Sequence, residues 1–181
     1  MNNSAAGAGG HRPRGEEPGD FRGRLADAVA EFGAAVRWPL AAGRGRAEDQ
    51  IAAPAAHLVR AAGRALGLRV VTHAETPLSE LSIRPDFAVE VADGPTGFIE
   101  VKRPGKGANP AAWAPGSHDG RQWQKLRLLP NVLYTDGSEW ALYRNGERAG
   151  PIAKLTPALE SAGRSLTPAD GSLALILEEF L

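Results

Sequence analysis

Apolar and polar positions change their period along this chain. From Phe21 to Trp38, apolar residues recur at helical spacing: Phe21, Leu25, Ala28, Val29, Phe32, Ala35 and Val36 share one face. Pro39 is expected to close that helix, because proline lacks an N–H and its ring crowds the preceding turn. A Gly/Arg turn follows, then a second helix over 47–66 with Ile51, Ala55, Leu58, Val59, Ala62 and Leu66 as its stripe. Pro54 is a kink site within it and Gly67 a stop. The period then shortens to two. Residues 69–75, 84–91 and 97–103 read as strands. The "ADGPTG" between the second and third reads as the six-residue turn of an antiparallel hairpin. A polar loop over 104–117 precedes a short helix over 118–129, and 131–136 and 139–145 read as two strands joined at Asp136-Gly137. After Gly150-Pro151 the pattern fades. Thr167-Pro168 reads as an N-cap with proline at the first helical position, opening a last helix that runs to Leu181. Helices, three strands, helix, two strands, helix: this order predicts an α/β chain with a mixed sheet flanked by helices.

Composition narrows the classes. At 181 residues with 43% apolar positions, the chain is expected to form one domain over 20–181, behind a Gly/Pro/Arg-rich lead over 1–19 that reads as disordered. Lys plus Arg is 21 and Asp plus Glu is 21, so any nucleic-acid surface must be a local patch rather than a global field. The absence of cysteine excludes disulfides, thiolate zinc sites and cysteine nucleophiles, and fits a cytoplasmic location. No apolar run reaches membrane-spanning length, and residues 1–20 lack the apolar core of a signal peptide. The four histidines show no zinc-ligand spacing.

The chemistry gathers on the hairpin. In "FIEVKR", Phe98, Glu100 and Lys102 share one strand face, with Ile99 and Val101 on the other. An exposed edge strand would explain a Glu and a Lys side by side. A second explanation follows from Asp86, which opens the partner strand after Arg84-Pro85. An antiparallel hairpin brings Asp86 to the same end of the sheet as Glu100 and Lys102. Two carboxylates there suit a hard cation such as Mg²⁺, which takes oxygen ligands; the set would be Asp86, Glu100 and the carbonyl of Val101. Lys102 would orient a water or stabilise charge on a phosphate. Glu48, in the first turn of its helix, reads either as a dipole partner or as a further acid. Arg103 and Lys106 lie in a loop expected to be mobile and to touch DNA phosphates. Asp119 reads as a helix cap. Trp113 and Trp123 are candidates for base stacking, whereas Trp140 reads as core.

"RPDFAVEV…GFIEVKR" resembles the PD-(D/E)XK nuclease signature, through Pro85-Asp86 and Glu100-Val101-Lys102. "RAEDQIAAP", "SHDGRQWQKL" and "PNVLYTDGSEWALYRNGE" resemble flanking motifs of the N-terminal nuclease domain of type ISP and type IIG restriction–modification enzymes. The likeness covers roughly residues 47–146. It implies a restriction-endonuclease-like mixed sheet and a metal-dependent DNA endonuclease using Mg²⁺, with Mn²⁺ as a substitute. Asp86, Glu100, Lys102 and Glu48 would be its catalytic residues, and DNA its partner. It also implies a methyltransferase or helicase region in a longer parent chain. Gln122 matches a glutamine on the helix after the lysine strand that assists at the site, although Leu126 stands where the Gln-x-x-x-Tyr pattern has tyrosine. A solvent-facing Gln122 is the alternative. For the chain as a whole, the alternative is a non-catalytic nucleic-acid or protein interaction module that retains the nuclease fold.

Overall fold

A computed structural model describes residues 20–75, 77–79 and 82–181. The lead over 1–19 lies outside the described residues. Seven strands form one sheet in sequence order: β1 Val70–Ala74, β2 Phe87–Val91, β3 Gly94–Val101, β4 Val132–Thr135, β5 Glu139–Arg144, β6 Glu147–Thr156 and β7 Thr167–Pro168. Every neighbouring pair is antiparallel except β3 and β4. That parallel step needs a crossover, and residues 102–131 supply it.

The helices divide between the two faces. α1 (Phe21–Ala42), α2 (Ala47–Ala65) and α5 (Ser172–Phe180) share a core with Ile99, Val101, Leu133, Trp140 and Leu142. α3 (His118–Leu126) covers the other face, where Trp123 and Leu126 pack with Val132, Tyr134 and Tyr143. The period-two pattern of β3 thus works as expected: Ile99 and Val101 enter the larger core, and Phe98 packs against the α3 side. A short helix, α4 (Leu159–Ala162), links β6 to β7. No helix among the described residues is long and apolar enough to cross a membrane.

Several expectations are corrected. α1 does not stop at Pro39 but carries it inside and runs to Ala42, where Gly43 takes a left-handed conformation (φ 61) and donates its N–H to the Leu40 carbonyl. One missing N–H does not end a helix whose face remains buried. The β2–β3 hairpin turns through two residues, not six. Ala92 and Asp93 both have positive φ (50 and 68), the type I′ turn whose twist suits a hairpin, and β3 therefore starts at Gly94. α3 ends at Leu126 rather than 129. β6, ten residues long, follows a second such turn at Asn145-Gly146 (φ 50 and 81). Thr167-Pro168 is a short strand, not a helix start; α5 begins at Ser172, whose N–H is accepted by Asp170 Oδ1 at 2.8 Å.

Candidate active site

Asp86 sits one residue before β2. The Phe87–Ile99 register places it across from Glu100, and its Oδ2 accepts the Val101 N–H at 2.7 Å. The side chain therefore closes the end of the hairpin where the strand ladder stops. Glu100 and Lys102 point to the α3 face and are almost sealed, at 2% and 5% exposed. Burying either charge alone would be costly. Here Lys102 Nζ donates to Glu100 Oε1 at 2.7 Å and to Gln122 Oε1 at 2.7 Å, while Gln122 Nε2 donates to the same Glu100 oxygen at 2.6 Å. A side-chain amide can accept from an ammonium through its oxygen and donate to a carboxylate through its nitrogen at once. Gln122 thus faces the site and not open solvent. Lys102 lies just past β3, yet its N–H still bonds the Thr135 carbonyl at 2.7 Å, so the strand geometry continues through it.

The electrostatics show that further acids face this cluster. Glu48, half-buried in the first turn of α2, has its pKa raised by burial and by Asp86 and Asp119, with Lys102 acting against them. Burial also raises Asp86, opposed by the Val101 N–H and Lys102. Burial pushes Glu100 up to about 7, against the pull of Lys102, with Asp86 adding to the rise. For Lys102, burial favours the neutral amine, but Glu100, Glu48 and Asp119 together outweigh it and raise its pKa, so the ammonium persists.

Asp119 is not the cap of α3. Ser117 is, its Oγ accepting the Gly120 N–H at 3.0 Å. Asp119 turns instead to the lysines: Oδ2 lies 2.6 Å from Lys106 Nζ and Oδ1 3.7 Å from Lys102 Nζ. Burial works against its charge, but the Lys106 bond and Lys102 prevail and lower its pKa. Lys106 is therefore turned toward Asp119 and over the Trp113 ring at 4.9 Å; Arg103 is exposed. Nor is the following loop free to wander. Asp136 Oδ2 accepts the Gly107 N–H at 2.8 Å and Glu139 Oε2 accepts the Ala108 N–H at 3.2 Å. The candidates for base stacking are likewise engaged: Trp123 is buried and Trp113 meets Tyr134 edge-on at 5.9 Å. Trp140 is core, as expected, fully buried against Phe32.

Two buried polar atoms beside this network have no hydrogen-bond partner: Glu100 Oε2 and the Tyr134 hydroxyl. Tyr134 is the β4 residue in register with Glu100. Its only signal in the sequence was a tyrosine in an apolar strand. The lone Glu100 oxygen fits a cation ligand, because a buried carboxylate oxygen seldom stays unsatisfied. Among the described residues, no three His, Cys, Asp or Glu side chains stand together as a metal set. A Mg²⁺ ion does not require three, since it takes one or two carboxylates with water and phosphate oxygens.

A mixed sheet with α1, α2 and α5 on one face and α3 on the other is a restriction-endonuclease-like α/β fold. Comparison with known proteins agrees at that level. The cryo-EM structure of a DrdV–DNA complex matches 84% of this chain at a TM-score of 0.54 and 21% identity. The match spans 14% of that much longer chain. No family model and no curated protein matches the sequence.

Proposed function

We propose that this domain is a metal-dependent DNA endonuclease of the PD-(D/E)XK type. One observation carries the reading: a buried ammonium, Lys102, is fixed between Glu100 and Gln122 at the sheet end that Asp86 and Glu48 also face. A purely structural ion pair needs no further acids around it. The likeness in fold to a chain solved with DNA supports a DNA substrate, and the small share of that chain which is matched supports a nuclease module within a larger restriction–modification protein.

Asp86, Glu100 and the Val101 carbonyl would hold Mg²⁺, or Mn²⁺ in its place, and the ion would supply charge neutralisation on the phosphate and a more acidic water. The protein's own groups do the rest. The Glu100 and Gln122 oxygens hold Lys102 Nζ at one point, with its charge directed at the phosphate oxygens as they gain negative charge. A water oxygen bonds to phosphorus and releases its proton to solvent, the ester P–O bond breaks, and the departing sugar oxygen takes a proton from solvent. Asp86 and Glu48 keep the approach negative, which favours cation entry.

The test is plasmid nicking with Mg²⁺ by wild type and Lys102→Ala, alongside Mg²⁺ binding. Cleavage should fall by roughly 10²-fold or more, the usual loss of one transition-state donor, while Mg²⁺ binding persists because an ammonium is no ligand. Equal cleavage by the two proteins would leave Lys102 as an ordinary ion-pair partner and end the catalytic reading.

A further inference from the structure

Next to the site is a groove of about 370 Å³ lined by Ser82, Ile83, Arg84, His118, Arg121, Gln122 and Lys125. Three permanent cations and a histidine line it, and no carboxylate does. That is unusual in a chain whose charges balance. His118, Arg121 and Lys125 follow one another at i, i+3 and i+7 along α3, so they form one stripe, and the like charges of Arg121 and Lys125 at i and i+4 weaken a helix. Each cation is exposed and only lightly held. Arg84 meets the exposed Glu75 at 3.0 Å, Lys125 donates to the Ser82 carbonyl at 3.1 Å, and Arg121 donates to the Gly116 carbonyl. Donors remain for an anion, because a guanidinium carries five and an ammonium three.

The groove shares a wall with the site. Gln122 lines it and also bonds Lys102 and Glu100, and the 82–84 segment on its other side leads directly into Asp86. Building on the nuclease reading, we propose that this groove is the track for the DNA backbone beside the scissile phosphate. Phosphodiester oxygens would be gripped by Arg84, Arg121 and Lys125. An anion bridging the two walls ties α3 to the segment before Asp86, so the contact that binds the strand also fixes Gln122 and Asp86 in mutual register. This places the DNA grip on α3 and on the segment before Asp86.

The test is equilibrium binding of a short duplex by fluorescence anisotropy, in EDTA so that nothing is cut, between 50 and 200 mM salt. Each phosphate contact contributes about 0.9 to the slope of log K against log salt. Arg121→Ala/Lys125→Ala should therefore flatten the slope by about 2, and Arg121→Gln/Lys125→Gln should do the same with helix propensity kept. Arg64→Ala/Arg148→Ala, an equal loss of charge at exposed positions elsewhere, should change it little. An unchanged slope in the groove variants, an equal drop in the control pair, or binding of inorganic phosphate but not of duplex would each overturn the proposal. The two readings fail separately. A groove-dependent slope without Mg²⁺-dependent nicking keeps the track and rejects the nuclease; nicking with an unchanged slope does the reverse.

Discussion

Glu100→Gln isolates the energetic consequence of burying an acid at this site. Glu100 is 2% exposed, one of its oxygens has no partner, and its pKa is about 7 against an ordinary 4.5. The folded state therefore holds a proton that the unfolded state releases. The sign follows from linkage: this raised acid contributes most to stability below 4.5, and the contribution is lost as pH rises through about 7. At 1.36 kcal/mol per tenfold change in proton affinity, the full loss is about 3 kcal/mol, most of it between pH 5 and pH 8. Glutamine has nearly the same shape and no proton to lose. Urea unfolding of wild type and Glu100→Gln at pH 5, 6.5 and 8 should show wild type losing about 2–3 kcal/mol more than the variant across that range. For a domain of this size, that is roughly 5–10 °C in melting temperature. Asp86 and Glu48 are raised in both proteins, so they cancel in the difference. Parallel stability curves would show that Glu100 is not held neutral at pH 5, and the account of its burial would be wrong.

Three further outcomes are expected. Glu48→Gln should slow Mg²⁺-dependent cleavage by at least about tenfold, or 1.4 kcal/mol on the barrier, whereas a wild-type rate would return Glu48 to a simple first-turn acid. Asp136→Ala removes the acceptor for the N–H groups of Gly107, Ser138 and Glu139 and should cost about 3 kcal/mol, read by urea unfolding, with faster amide exchange at Gly107. Trp140→Ala should lose about 3–5 kcal/mol by the same unfolding measurement, since the ring is fully buried in the larger core.

What could be read from the sequence was what local pattern determines. Alternation along 97–103 put Glu100 and Lys102 on one face, and the hairpin brought Asp86 across from them. The rest depended on distant chain segments. Asp119 looks like any first-turn acid until the 104–109 loop folds back and delivers Lys106 to it. Asp136 read only as part of a turn, though its carboxylate also anchors that loop. Tyr134 was hidden in an apolar run, and its register with Glu100 exists only once β3 and β4 pair in parallel. β6 was missed for a different reason. Gly150-Pro151 interrupts it, and proline is tolerated in strands mainly at edges and bulges; the Asn145-Gly146 pair was the overlooked hairpin signal.

The one parallel pairing of the described sheet also bears on the order of folding. Asp86 and Glu100 belong to a hairpin closed by a two-residue turn, so their half of the site is made of near-neighbour contacts and can form quickly. Gln122 and Asp119 arrive on the crossover, and their contacts with Lys102 wait on the pairing of β3 with β4 across a connection of some thirty residues. Closing so long a loop carries an entropic cost that the hairpin does not, and contacts of long sequence separation are the slow ones. A refolding chain should therefore bring Asp86 and Glu100 together before Gln122 and Asp119 reach Lys102. The complete Glu100–Lys102–Gln122 network would appear only in the last phase, after the sheet has been sewn together.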